Sequence, residues 1–280
     1  MTVRSVLQQA RATLRSISDA PKLDAERLLL HVLGRSENSW LYAHGSEELS
    51  EEQVREFARV LHGRMSGQPL AYVLGTWEFY GREFYVTEDV LVPRPATEDL
   101  IDCALEFLRS ITLRNIVLAD VGTGSGVIAV TLALETTSPA LRKAPGYLSF
   151  VRRGTSPLEG EVGPPGDGPD EVKILATDIS PEALEVARKN AKRWGVLDQI
   201  EFIQEDMAET LKRKNIDLIV SNPPYVPSRD VDKLPDPAIA LDGGTNGQDY
   251  VQKIAGGGIP AIVETTNGTI RTFYLESLQP

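Results

Sequence analysis

The 280 residues carry 41% hydrophobic and 25% charged side chains, a balance that supplies enough apolar material for a sizeable core. A single cysteine, Cys103, excludes an internal disulfide framework, and no apolar run approaches the ~20 residues of a membrane span. The net charge of -11 argues against direct nucleic-acid binding, which asks for a basic face, and the first twenty residues hold no secretory apolar stretch, so a cytoplasmic chain is expected.

Val3, Val6, Leu7, Ala10, Leu14 and Ile17 recur at three- and four-residue steps and predict an amphipathic helix. Ser50 with Gln53 fits a capping box ahead of Val54, Phe57, Ala58, Leu61 and Met65 at helical spacing. With the apolar positions 28–30 and Trp40-Leu41 between them, residues 1–70 are expected to form a small helical bundle suited to docking. From 71 to 95 the β-formers Tyr72, Val73, Phe79, Tyr80, Phe84 and Tyr85, with turns at Gly75 and Gly81, predict a β-hairpin linker. Pro93 and Pro95 end it, and Thr97 is placed to cap a helix carrying Leu100, Ile101, Ala104, Leu105 and Leu108.

Residues 96–280 then alternate strand with helix. Apolar runs at 115–121, 173–179, 199–204 and 216–221 predict strands; 127–134 and a segment opened by Ser180-Pro181 predict helices. Such alternation implies an α/β fold, a parallel sheet with helices on both faces. Residues 136–172 interrupt one connection, and nine of the sixteen residues across 154–169 are Gly or Pro, which predicts a disordered insertion. Residues 261–275 predict a hairpin about Asn267-Gly268, with little sequence left to complete a sheet.

Four motifs carry chemistry. Gly122, Gly124 and Gly126 follow Asp120 at a strand end, in a loop with Thr123 and Ser125; glycines there let backbone pass close to a ligand. Val127 stands where a dinucleotide fingerprint would put its third glycine. Asp178 ends the second strand, where an acidic residue can accept hydrogen bonds from ribose hydroxyls; it lies 56 residues after Gly122, an interval that shrinks to the usual ~20 when the insertion is removed. Asp206-Met207, after the third strand, suits an adenine contact through a carboxylate and a polarisable thioether. Asn222-Pro223-Pro224-Tyr225 ends the fourth. An amide or aromatic amine nitrogen is a poor nucleophile, its lone pair being delocalised. The Asn222 side-chain oxygen and the Pro223 carbonyl can accept both N–H groups and turn that lone pair toward a methyl donor, while Tyr225 stacks on the planar face.

The chain resembles the release-factor glutamine methyltransferases, the PrmC/HemK family. The likeness rests on Gln68-Pro69-Leu70-Ala71-Tyr72, Val92-Pro93-Arg94-Pro95 with Thr97-Glu98, the 122–126 loop, Thr177-Asp178-Ile179-Ser180, the 222–225 motif and Ala240-Leu241-Asp242-Gly243-Gly244. It implies a class I methyltransferase (Rossmann-like) fold with S-adenosylmethionine as cofactor, contacted by residues 122–126, Asp178, Met207 and Asn222. It further implies N5-methylation of the glutamine in the Gly-Gly-Gln loop of class 1 peptide chain release factors, that glutamine being held by residues 222–225. The N-terminal helices would dock the release factor. Asn-Pro-Pro-Tyr also occurs in adenine-N6 and some RNA methyltransferases, which stay open as an alternative. The chain departs from the family pattern at Ala96, where Glu is usual, in the insertion, and after residue 254, where it stops early. An incomplete sheet would expose an edge and lower stability, so a truncated homologue that only binds is a third reading.

Overall fold

The computed structural model describes residues 1–110, 115–137, 171–213, 215–265 and 268–273. It divides into two compact units, Met1–Thr76 and Trp77–Pro280. The predicted insertion falls almost wholly outside the described residues, as does Asn267 of the predicted turn.

The first unit holds five helices: α1 (Val3–Leu14), α2 (Pro21–Val32), α3 (Asn38–Ala43), α4 (Glu51–Met65) and α5 (Leu70–Leu74). The stripe read from the sequence becomes its core, with Val3, Ala10, Leu14, Leu28, Leu29, Phe57 and Val60 almost wholly buried. Ile17 instead lies beyond the end of α1 and is 41% exposed. At α4 the capping box forms as expected, Ser50 and Gln53 each satisfying the other's backbone N–H. Tyr72 and Val73, expected in the hairpin linker, sit in α5. Local β-propensity loses there to a short helix opened after Pro69 and closed by Gly75 in the left-handed conformation.

The hairpin follows as β1 (Thr76–Phe79) and β2 (Arg82–Tyr85). Its two-residue turn puts both Tyr80 and Gly81 at positive φ, the mirror-image turn that matches strand twist. Phe79 and Phe84 meet edge to face at 6.1 Å inside the core. Helix α6 (Ala96–Ser110) comes next, with Leu100, Ile101, Ala104 and Leu108 buried. Thr97 lies within this helix, not at its cap.

The remaining elements are β3 (Asn115–Val121), α7 (Val127–Thr137), β4 (Glu171–Asp178), α8 (Pro181–Arg193), β5 (Ile200–Gln204), α9 (Met207–Thr210), β6 (Leu218–Ser221), α10 (Ala238–Leu241), α11 (Asp249–Gly256), β7 (Ala261–Thr265) and β8 (Thr269–Phe273). The sheet runs β5-β4-β3-β6-β7-β8, parallel except for β8. This is a doubly wound α/β sheet. The chain builds outward from β3 through β4 to β5, then returns to the other side of β3 with β6 and β7. β6 and β7 are buried along their whole length, in keeping with the apolar residues 218–220 and 261–263 that open them.

The segment after residue 254 does not leave the sheet without a continuation. β7 pairs with β6, and β8 folds back on β7 over five residue pairs. Hydrophobic alternation in so short a hairpin says little about which parallel neighbour it joins. Among the described residues β8 has no strand on its outer side.

Candidate active site

The reversal of strand order lies between β3 and β6, and in open α/β sheets the crevice beyond the strand ends at such a point is where ligands bind. Register brings the motifs together there. Val121 pairs with Thr177, and Ser221 pairs with Val263, while the Ser221 hydroxyl donates to the Val121 carbonyl at 2.6 Å. Gly122, Asp178, Asn222 and Glu264 are therefore the next residues out along four adjacent strands.

The glycine loop is held from below. Gly122 and Thr123 donate their N–H groups to the Thr177 carbonyl at 2.9 Å each, and Gly124 donates to the Asp178 carboxylate at 2.9 Å. Gly122, Gly124 and Gly126 all have positive φ. A Cβ on Gly126 would stand 2.9 Å from the Ala187 Cβ, so this glycine also sets the approach of α8. Asp120, fully buried, accepts from the Thr123 hydroxyl at 2.6 Å and the Ala129 N–H at 3.0 Å. Burial pushes its carboxyl up to about 7. Asp178 also accepts from the Ser180 N–H at 3.0 Å, and burial raises its carboxyl above the ordinary value. Ser125 is buried, and its carbonyl accepts from the Asn190 side chain at 2.8 Å. Asn190 simultaneously clamps the Tyr85 backbone, accepting at 2.7 Å and donating at 2.9 Å. Asn190 ties the loop to the hairpin; a lone Asn in an amphipathic helix gave no sign of it.

Met207 opens α9 and is 9% exposed, in one apolar cluster with Val121, Leu175 and Ile216. Little of its surface is left to meet a ring.

The Asn-Pro-Pro-Tyr segment leaves β6 with its amide tethered. Asn222 Nδ2 donates to the Thr97 hydroxyl at 3.0 Å, and that hydroxyl donates to Glu264 Oε2 at 2.6 Å. Asn222 Oδ1 and Glu264 Oε1 are both enclosed and have no hydrogen-bond partner among the described residues. Tyr225 is half-buried, and burial first, then the Glu264 charge, raises its hydroxyl. Behind the motif, Val226 donates to the Leu241 carbonyl at 2.9 Å, and Gly243 donates to the Val226 carbonyl at 2.8 Å. A Cβ on Gly243 would lie 2.7 Å from both the Pro224 oxygen and the Tyr225 Cα. The Ala240-Leu241-Asp242-Gly243-Gly244 segment is thus the backing of the motif. Beside it, Asp236 accepts from Arg94 at 2.5 Å and from the Val92 N–H at 3.2 Å, fastening the Pro-Arg-Pro segment.

Thr97 was legible as a cap and as part of the segment carrying the family likeness, but not as a partner of Asn222, and Glu264 and Asp236 gave no signal. Each lies far along the chain from its partner, and only strand register or loop packing brings the pair together.

Comparison with known proteins places the chain in a family. The profile of the PrmC N-terminal domain matches residues 5–75, and that of an RMKL-like methyltransferase domain matches residues 113–232. The release factor glutamine methyltransferase of Koribacter versatilis is 35% identical over 263 residues, covering 91% of this chain and 80% of that protein. Those of Chlorobaculum tepidum (33% identical; 90% and 80% covered) and Bacillus subtilis (35%; 82% and 70%) are also similar to the chain. Among solved structures the human Mettl16 catalytic domain aligns with a TM-score of 0.43 at 16% identity, over 71% of this chain and 68% of that one. With matches spanning both units, and relatives of one name aligned over most of their length, the chain belongs to the release factor glutamine methyltransferase family.

Proposed function

We propose that the chain transfers a methyl group from S-adenosylmethionine to the side-chain amide nitrogen of the Gly-Gly-Gln glutamine in class 1 peptide chain release factors. The observation that carries this reading is the enclosed Asn222 Oδ1, without a partner among the described residues, beside a rigid proline turn at the switch point. An unmet buried acceptor is costly, and an N–H group such as that of a primary amide would satisfy it.

The residues fit the cofactor. Nothing lies within 4 Å of where a Cβ would stand on Gly122 or Gly124, so the loop presents an open backbone face. Asp178 stands at the adjoining strand end, with Thr123, Ser125, Gly126 and Met207 completing the proposed set around it. The bound cofactor supplies an electrophilic methyl on a sulfonium. Asn222 Oδ1 and the Pro223 carbonyl accept the two N–H groups of the glutamine amide, which turns its lone pair out of conjugation. Pro223 and Pro224 fix φ, so the acceptors are set before substrate arrives. Tyr225 packs on the amide plane. The acceptors stabilise the positive charge that develops on nitrogen, and no strong base is needed because the N–H becomes acidic as the methyl arrives. Residues 1–76 would contact the body of the release factor, in the cytoplasm.

The test supplies labelled S-adenosylmethionine with a release factor, and separately with RNA or DNA. Label in the Gly-Gly-Gln peptide is expected, and Asn222→Ala should lower kcat by about 100-fold or more. Label in nucleic acid alone, or full activity of Asn222→Ala, would overturn the reading. Cofactor binding with no transfer to any substrate would leave the binding-only homologue.

A further inference from the structure

We propose that Thr97 and Glu264 are positioning residues that hold the Asn222 amide in the one orientation able to accept a substrate N–H. The inference rests on the methyl-transfer reading for its purpose, though not for its geometry. An asparagine side chain has two nearly isosteric ends, and they are opposite in function here. Oδ1 facing the substrate accepts an amide N–H; Nδ2 facing it would set donor against donor. The proline turn fixes where the side chain starts and leaves its final rotation to be decided by neighbours.

A threonine hydroxyl has one proton to give. That proton goes to Glu264 Oε2 at 2.6 Å, because an ionised carboxylate can only accept. Thr97 Oγ1 is then left as an acceptor, and the end of Asn222 that meets it at 3.0 Å must be Nδ2. Oδ1 is thereby turned to the other side, where it is enclosed and without a partner among the described residues. The proton order along Asn222, Thr97 and Glu264 thus writes the polarity of the site. Glu264 is 1% exposed on the wholly buried strand β7, an unusual place for a carboxylate with no ion pair among the described residues.

Protonating Glu264 would reverse the order. A neutral carboxyl can donate to Thr97, the Thr97 proton can turn to Asn222, and the amide must then flip. Burial raises the Glu264 carboxyl, the Thr97 hydrogen bond lowers it, Asp99 raises it and Arg94 lowers it; Tyr225 also feels its charge. An acid limb in kcat follows, lying above the range of an ordinary glutamate.

The experiment uses the full chain and reads both kcat and the side-chain amide resonance of Asn222 by 15N NMR, assigned with Asn222→Ala. Thr97→Ser should keep activity and slow amide exchange. Thr97→Val should lower kcat by about 10- to 100-fold, somewhat less than direct removal of a charge-stabilising group. In Glu264→Leu the freed Thr97 proton should flip the amide, and adding Thr97→Val should cost little more, since the two act as one unit. Lowering the pH of the wild-type protein should shift the Asn222 resonance and lower kcat with the same midpoint, a measurement that needs no variant to fold. An Asn222 resonance unmoved by acid and by Glu264→Leu would overturn the proposal. So would wild-type kcat in Thr97→Val. Failure of the wild-type protein to methylate any release factor would sink the function proposed above, while the amide resonance would still decide the orientation.

Discussion

Asp120 shows how one residue couples the cofactor loop to pH. Its carboxyl is wholly buried, one oxygen takes both the Thr123 and Ala129 donors, and the other has no partner among the described residues. Desolvation therefore lifts it from an ordinary 3.8 to about 7, the nearby Asp178 charge adding to the rise. Because the folded value is the higher one, the folded state binds more protons between pH 4 and 7. Stability from this group is complete below the unfolded value and drains away as pH rises through about 7. Asp120→Asn keeps an oxygen for both donors and cannot ionise. Denaturant melts at pH 5 and pH 8 should show the wild-type protein losing more stability on the alkaline side than the variant. Equal losses in the two would mean Asp120 is not the titrating group.

At the scale of elements, the site depends on one loop backing another. Gly243 and Gly247 leave no room for a side chain: a Cβ on Gly247 would sit 2.2 Å from the Tyr225 carbonyl, and Gly247 also has positive φ. Gly243→Ala should push the 224–225 backbone forward and displace the acceptors by a fraction of an ångström. Misplacement on the scale of 1 Å can cost on the order of 10²-fold, so kcat should fall by about 10-fold or more while calorimetric cofactor affinity holds. A matching loss of cofactor affinity would show that the disturbance was not confined to the substrate acceptors. The same elements explain what the sequence could show. Strands β3, β5 and β6, helix α8 and its Ser180-Pro181 start were legible because apolar runs and caps are local signals. So was the grouping of the glycine loop, Asp178 and residues 222–225 at strand ends. Glu264 was not, because nothing local distinguishes a buried carboxylate from an exposed one. Its role exists only through the pairing of Ser221 with Val263. Thr97 read as a cap because Pro-x-Thr before an apolar stripe suits one, whereas the helix begins at Ala96 and turns the hydroxyl inward.

At the scale of the whole molecule, the two units have separate cores, and the proposed chemistry falls in one of them. Every residue proposed to hold cofactor or substrate amide lies in Trp77–Pro280, while the helices of Met1–Thr76 offer no such chemistry. Binding S-adenosylmethionine at 100 times its Kd should stabilise the folded state by about 2.7 kcal/mol. For a unit of this size that is a rise in Tm of roughly 5–10 °C. Hydrogen exchange should localise the effect: cofactor should slow the amides of residues 122–126 and 178–180 and leave peptides from residues 1–76 unchanged. A release factor should then add protection within residues 1–76, beyond whatever it does at residues 222–225. If cofactor alone slowed exchange across the N-terminal helices, the two units would share one response and the division of labour would be wrong. If the release factor protected only the 222–225 region, the docking role of the helices would fall, with the methyl-transfer chemistry left standing.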